Sequence, residues 1–145
     1  MKAFVITLLE NKQSVESANR CIESGKKTGL TIKKFQAVTP DDEPLEILER
    51  KGIAPDKFDE KYSRNLNCIS AFLSHHTLWE MCARDNETYV IFEHDAVMYD
   101  YIPCTTFNYV MNIGKPSYGK WNSNFTNIGV NPLTSKRYFP GAHAY

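Results

Sequence analysis

The sequence has 145 residues, of which 42% are hydrophobic and 12% aromatic. This composition is sufficient for one domain with an apolar core, and it excludes wholesale disorder. Lysine plus arginine and aspartate plus glutamate each total 17, so the net charge is zero, and no basic stripe suggests nucleic acid as a partner. The four cysteines have no CxxC spacing, which favours reduced, structural thiols.

The chain begins with a short apolar run at residues 3–8, AFVITL, which is rich in strand-forming residues. No small-residue cleavage site follows before charged residues resume, so we interpret the run as a strand rather than a signal peptide. Because the run is continuously apolar, we expect it to be covered on both faces and to lie centrally in a sheet. No stretch approaches the roughly 20 apolar residues that span a bilayer, so any membrane association should be peripheral.

A β-α-β unit is predicted over the first 38 residues. Residues 11–29 place apolar side chains at spacings of three and four, typical of a surface helix that Gly25 or Gly29 can end. Residues 31–38, TIKKFQAV, are typical of a second strand, and TPDDEP separates them from the short helical pattern LEILERKG. This order implies a right-handed crossover and a parallel pair of strands.

The most apolar helix of the chain is predicted at residues 68–85, directly before a third strand at 88–93. Trp79 falls among apolar neighbours at helical spacing, so we expect it in the core. Beyond residue 100 the Gly, Pro, Asn and Ser content is typical of loops. The alternation of strands and helices predicts an α/β fold whose three strands are parallel and adjacent.

The third strand stops at three polar residues, Glu93, His94 and Asp95. Ligands of open α/β sheets bind at the carboxyl ends of strands, which is where this triplet should lie. In an extended segment Glu93 and Asp95 point the same way, and two carboxylates suit Mg²⁺ or Mn²⁺. The triplet on its own is equally typical of a solvated strand end or of a helix-capping acid.

Residues 70–97 resemble the central block of glycosyltransferase family 25, the family of lipooligosaccharide and lipopolysaccharide galactosyltransferases. In that family a Ser-His pair followed by three residues and Trp lies on a helix, and the next strand ends in an acidic triplet. The matching positions here are Ser74, His75, Trp79, Glu93 and Asp95. The flanking segments FVITL, FQAVTPDD and GAHAY also resemble the family, so the likeness spans nearly the whole chain.

Two departures from the family pattern concern the charge of the site. His94 stands where the family usually has an aspartate, so the triplet has one negative charge fewer, which should reduce metal affinity. The family's arginine after the first strand has no counterpart at residues 13–14, leaving Lys12 or Arg20 as substitutes for a phosphate or base contact.

The resemblance implies a GT-A-like, Rossmann-like three-layer sandwich with a mostly parallel central sheet. It implies one domain over residues 1–145, incomplete at its C-terminus. The implied activity is transfer of a hexose, galactose in the named relatives, from a UDP-sugar to a saccharide acceptor, assisted by Mn²⁺ or Mg²⁺. The expected metal ligands are Asp95 and Glu93, and the two candidate catalytic residues are Asp95 and His75. The expected donor-binding residues are Thr7, Arg20, Ser74, His75, Glu93 and His143.

Other interpretations remain open at this point. His75 could face the donor, or it could be a packing histidine bonded to a backbone carbonyl. The chain could be a catalytically inactive module that binds a nucleotide sugar or a saccharide, or a structural domain. If the resemblance holds, we expect Glu93 and Asp95 to lie side by side in an open cleft lined by Thr7 and by the pair Ser74 and His75. The expected location is the cytoplasm, either free or at the inner face of a membrane that carries a lipid-linked acceptor.

Overall fold

A three-stranded parallel sheet forms the centre of the protein. A computed structural model describes residues 1–58, 64–102, 106–113 and 144–145. Strands β1 (Lys2–Thr7), β2 (Ile32–Gln36) and β3 (Tyr89–Glu93) pair in the order β2-β1-β3, and both pairings are parallel. The predicted parallel and adjacent strands are therefore confirmed, as is the central position of the first one.

Three α-helices connect and flank the strands. Helix α1 (Lys12–Lys27) joins β1 to β2, while α2 (Pro44–Arg50) and α3 (Asn65–Asp85) lie between β2 and β3. Short 3₁₀ turns cover Pro40–Asp42 and Pro55–Lys57. None of the described helices combines the length and the apolar character that a membrane-spanning helix requires.

Helices cover both faces of the sheet, because side chains alternate between the faces along each strand. Val5 and Phe92 pack in one cluster with Ala18 and Cys21 of α1. The opposite face of the sheet forms a second cluster with Leu78 of α3. The result is the predicted α/β arrangement, with a helical layer on each side of a parallel sheet.

Local sequence features explain where α1 begins and ends. The Asn11 side chain accepts a hydrogen bond from the backbone N–H of Ser14 and so caps the helix. The Ser14 hydroxyl accepts the backbone N–H of Leu8 at 3.0 Å, which ties the helix start to the end of β1. The helix passes through Gly25, and Gly29 follows its end with φ of 78°, a conformation that favours glycine.

Cys21, Cys68 and Cys82 are free thiols, which confirms the prediction of unpaired cysteines for these three positions. Cys104 lies outside the described residues. Burial raises the pKa of the Cys21 thiol to about 11, and the negative charge of Asp95 contributes to the shift. Cys21 is therefore a protonated, unreactive side chain at neutral pH.

A charged cluster lies at the amino edge of the sheet. Lys2 Nζ contacts Asp85 Oδ2 at 2.6 Å, and the Tyr89 hydroxyl donates to the same carboxylate at 2.5 Å. The hydrogen bond from Lys2, followed by the one from Tyr89, lowers the pKa of Asp85 to about 2. The Asp85 carboxylate therefore stabilises the folded state at every pH at which it is ionised.

We expect Asp85→Asn to lower the thermal unfolding midpoint at pH 7, with a difference from the wild type that disappears in acid. The folded-state pKa of Asp85 lies below its ordinary value of 3.8, so its contribution is present above about pH 4 and is lost as the pH falls through about 2. Unfolding midpoints of both proteins, measured between pH 7 and pH 2, test this. A difference that stays constant over the whole range would contradict it.

Candidate functional site

The candidate site lies at the carboxyl edge of the sheet, where the three parallel strands end at Thr7, Gln36 and Glu93. Helix α1 begins at Lys12, five residues after the end of β1, so its first turn is at the same edge. This is the edge at which open α/β sheets bind their ligands. The triplet of Glu93, His94 and Asp95 lies at the end of β3 there, as predicted.

The geometry of the triplet differs from the prediction. Strand β3 ends at Glu93, and His94 and Asp95 form a turn that the Ala96 N–H closes by donating to the Glu93 carbonyl at 3.0 Å. The extended backbone that would align two carboxylates therefore does not reach Asp95. Glu93 turns toward α3, whereas the exposed Asp95 carboxylate acts electrostatically on Cys21 of α1. The expectation that both carboxylates project from one strand is wrong.

His75 connects Glu93 to the interior. The imidazole is 6% exposed, and its Nε2 lies 2.7 Å from Glu93 Oε1 while its Nδ1 lies 2.6 Å from the Tyr145 hydroxyl. Trp79 Nε1 donates to that same hydroxyl at 2.8 Å. We call the four side chains of Trp79, Tyr145, His75 and Glu93 the Glu93 network.

The alternative in which His75 is a packing histidine bonded to a backbone carbonyl does not describe the structure, because both ring nitrogens contact side chains. A sugar donor in contact with His75 would meet two ring nitrogens that are already hydrogen-bonded to other side chains. The structure thus places His75 behind Glu93 rather than in the open part of the site.

Each hydrogen bond of the Glu93 network is donated in the direction of Glu93. The indole of Trp79 can only donate, so the Tyr145 oxygen accepts that bond and keeps its own proton for His75. An ionised carboxylate only accepts, so a neutral His75 must carry its proton on Nε2 and accept on Nδ1. The hydrogen bonds therefore fix one tautomer of the imidazole.

Tyr145 reaches this position through backbone pairing with the outer edge of β3. Its N–H donates to the Ile91 carbonyl at 3.1 Å, and its carbonyl accepts the Ile91 N–H at 2.7 Å. The phenol ring stacks on the His75 ring at 5.6 Å between centroids and 23° between planes. Burial raises the pKa of Tyr145 to about 12; the Trp79 hydrogen bond opposes this and the Glu93 charge adds to it, so the hydroxyl remains a donor at neutral pH.

Thr7 and Ser74 do not line an open cleft, contrary to the prediction. Thr7 is fully buried, and its hydroxyl donates to the Val5 carbonyl at 3.0 Å. Ser74 is 1% exposed; its hydroxyl donates to the Ser70 carbonyl at 2.9 Å and accepts the Val38 N–H at 2.8 Å. Ser74 therefore fastens α3 to the segment that follows β2.

The remaining predicted donor contacts lie elsewhere. Arg20 is exposed on α1, where its guanidinium donates to the Ser17 hydroxyl at 2.9 Å, and no contact places it in the Glu93 network. Lys12 is exposed at the start of α1 and lies 3.9 Å from Glu16. His143 lies outside the described residues. A phosphate or donor contact by any of these three residues remains a prediction.

Trp79 is not a core residue, so that prediction is wrong. Its side chain is 44% exposed, while the adjacent Leu78 is fully buried against the sheet. Helical spacing alone cannot separate two neighbours at the boundary of an apolar face, and the hydrogen bond to Tyr145 holds the indole at the surface. Trp79 and Tyr145 are the members of the network that sequence reasoning left without a site role.

An apolar cavity of about 520 Å³ lies beside β3. Its walls include Trp79, Tyr89, Ile91, Phe107, Val110 and Tyr145. Trp79 and Tyr145 therefore contact both the cavity and the Glu93 network. The polar edge at Glu93 is chemically different from this cavity, because the cavity walls are almost entirely hydrocarbon and aromatic.

Among the described residues, no group of three or more His, Cys, Asp or Glu side chains is placed to hold a metal ion. A site completed by substrate phosphates and water needs only one or two carboxylates, which is the number the triplet offers. Glu93 and the exposed Asp95 provide the hard oxygen ligands that Mg²⁺ and Mn²⁺ prefer.

The comparisons with known proteins identify the family of the chain. No curated protein matches the chain. The sequence model of glycosyltransferase family 25 (LPS biosynthesis protein) matches residues 1–118, which include β1 to β3, α1 to α3 and the triplet. Because the match extends over most of the sequence, the chain belongs to glycosyltransferase family 25.

Proposed function

We propose that the protein transfers a hexose, galactose in the first instance, from a UDP-sugar to a saccharide acceptor of the lipopolysaccharide or lipooligosaccharide type. The observation that carries the proposal is the family match over residues 1–118, with its acidic residues at the carboxyl edge of a parallel sheet. A GT-A-like arrangement is compatible with the parallel sheet and its two helical layers. Nucleotides bind at this edge in open α/β sheets.

The Glu93 carboxylate has the geometry of a hydrogen-bond acceptor that a neighbouring residue holds in place. His75 holds Oε1, and the side chain is still 30% exposed, so the carboxylate can also accept a hydrogen bond from a donor hydroxyl or a water molecule. Because the contact to His75 removes rotational freedom, Glu93 is oriented before the substrate arrives. Its proposed role is to position the donor.

Asp95 is the proposed direct metal ligand, with Glu93 contacting the cation, its waters or the ribose. The two carboxylates fit Mn²⁺ or Mg²⁺, because carboxylate oxygens suit both ions and the turn leaves Asp95 exposed. A bound cation would offset the charge that develops on the departing nucleoside diphosphate. Of the candidate catalytic residues, Asp95 is exposed enough to contact a substrate, whereas His75 is buried.

One observation favours a second candidate, a module that binds a nucleotide sugar or a saccharide without transferring it. His94 stands where the family usually has an aspartate, so the triplet has one negative charge fewer than the family pattern. The proposed location is the cytoplasm or the inner face of a membrane, since the acceptor would be lipid-linked.

Titration of the 145-residue chain with UDP-hexoses, with and without Mn²⁺, distinguishes these functions. Binding is measured by calorimetry, and transfer by UDP release in the presence of saccharide acceptors. Metal-dependent binding with acceptor-dependent UDP release is the expected result. Metal-dependent binding without release would support the binding module instead, and the absence of binding by every UDP-hexose would contradict both functions.

A further inference from the structure

We propose that Tyr145, His75 and Trp79 are positioning residues for Glu93. Their hydrogen bonds hold the Glu93 carboxylate with Oε1 turned inward, so that Oε2 is available to the donor. The inference rests on the proposed function, because it assigns to Glu93 a contact with the donor or its cation. It gives a site role to two residues, Trp79 and Tyr145, that do not reach the substrate themselves.

The contacts form an unbroken path from the surface of α3 to the carboxyl edge. The three distances are 2.8 Å from Trp79 to Tyr145, 2.6 Å from Tyr145 to His75 and 2.7 Å from His75 to Glu93. Each is within the normal range of a hydrogen bond. The imidazole is 6% exposed and stacks on the phenol ring, so its plane is restrained by packing as well as by bonding.

Tyr145 acts on Glu93 by favouring one tautomer of His75. When Tyr145 donates to Nδ1, the imidazole proton is on Nε2 and can be donated to Glu93. Without the phenol hydroxyl, only the hydrogen bond to Glu93 favours the Nε2–H tautomer, so the Nδ1–H tautomer, in which Nε2 presents a lone pair to the carboxylate, becomes more accessible. That contact is repulsive, so Glu93 would turn away from the orientation it has here.

Trp79, together with the contact of His75 to Glu93, favours donation from the Tyr145 hydroxyl to His75. A phenol hydroxyl can donate or accept, but the indole N–H occupies the oxygen as an acceptor and leaves the phenol proton for His75. The pKa of Tyr145, raised to about 12 chiefly by burial, keeps that proton in place at neutral pH.

The Tyr145 hydroxyl can be removed without breaking the contacts that hold this residue against β3. Its two backbone hydrogen bonds to Ile91 and the stacking of its ring do not depend on the phenol oxygen. Tyr145→Phe therefore removes the donor to His75 while the strand pairing remains. Tyr89→Phe is a matched control, since it removes a phenol hydroxyl that donates to a carboxylate, that of Asp85, at the start of β3 and therefore at the opposite edge of the sheet.

The test measures the tautomer and the function separately in the full chain. ¹⁵N NMR of the imidazole reports which nitrogen of His75 carries the proton, and calorimetry reports Mn²⁺-dependent affinity for the UDP-hexose. Wild type is expected to show the Nε2–H tautomer. Tyr145→Phe should weaken this preference and lower donor affinity or kcat/KM by about 10- to 100-fold, the usual effect of removing a partner behind a ligand. Tyr89→Phe should leave both readouts unchanged.

Two further comparisons separate positioning from a structural role. His75→Gln places an amide N–H near the position of Nε2 and should retain more donor affinity than His75→Asn, whose shorter amide reaches only the Nδ1 position. In a Glu93→Ala background, Tyr145→Phe should have no additional effect, because Tyr145 acts through Glu93.

The outcomes distinguish this inference from the proposed function. If wild type binds the donor and Tyr145→Phe has unchanged tautomer and affinity, the positioning role is wrong although the function stands. If the effect of Tyr145→Phe persists in Glu93→Ala, the tyrosine acts by another route and the inference is overturned. If wild type shows the Nε2–H tautomer but binds no UDP-hexose, the proposed function fails, and the assigned role of Glu93 fails with it while the network geometry is retained.

Discussion

Asp95→Asn is expected to weaken Mn²⁺-dependent binding of a UDP-hexose by at least about 100-fold, because residues behind a ligand already contribute 10- to 100-fold. The substitution removes one negative charge from an exposed turn at the carboxyl edge of the sheet and leaves the size of the side chain unchanged. Stability should change by less than about 0.5 kcal/mol, since the carboxylate is exposed. Calorimetric titration in Mn²⁺ and thermal unfolding of the same samples measure the two effects.

The matched control for this prediction is Asp100→Asn, which makes the same charge change at an exposed residue beyond the turn. It should leave donor affinity within a factor of about two, because screening at physiological salt limits the reach of an exposed charge to about 8 Å. His94→Asp adds a negative charge between the two carboxylates and should strengthen metal-dependent binding. Equal binding by Asp95→Asn and wild type would exclude Asp95 as a metal ligand.

Phe92→Ala is expected to lower the free energy of unfolding by about 3–5 kcal/mol. Phe92 is 1% exposed and packs against Val5, Ala18 and Cys21 between β3 and α1. Truncation removes the apolar area that the ring buries and leaves a cavity that small neighbours cannot fill. For a chain of this size the unfolding midpoint should fall by roughly 10 °C, measurable by circular dichroism on heating.

Tyr99→Ala provides the control for Phe92→Ala. Tyr99 is an aromatic residue near the same strand, but its side chain is 92% exposed. Its truncation should change the free energy of unfolding by less than about 0.5 kcal/mol. A similar loss of stability in both variants would show that the cluster around Phe92 does not dominate the stability of the sheet.

The order and type of the main elements follow from local sequence patterns. Residues 3–8 form a continuous apolar run, and the sheet places this strand at the centre, where both faces are covered. The helix predicted at 68–85 is observed at Asn65–Asp85, since apolar residues at helical spacing determine its buried face. The parallel pairing follows because helical segments connect the strands.

The sequence predicts where the candidate site lies, but it does not predict which side chains contact one another there. The position of Glu93 at the carboxyl edge follows from the length of its strand, whereas the turn at His94 and Asp95 depends on a backbone hydrogen bond that no local pattern specifies. The contact between His75 and Tyr145 joins residues 70 positions apart. Such contacts depend on tertiary packing, and a single sequence has no periodic signal for them.

The antiparallel pairing of Tyr145 with Ile91 has a consequence for synthesis on the ribosome. About 50 residues separate Glu93 from Tyr145, and at about 5–20 residues per second their translation takes several seconds. During that time the outer side of β3 lacks this partner, and an unpaired strand edge is prone to association with other chains. All three strands of the parallel sheet are therefore synthesised before the residue that we propose to orient Glu93.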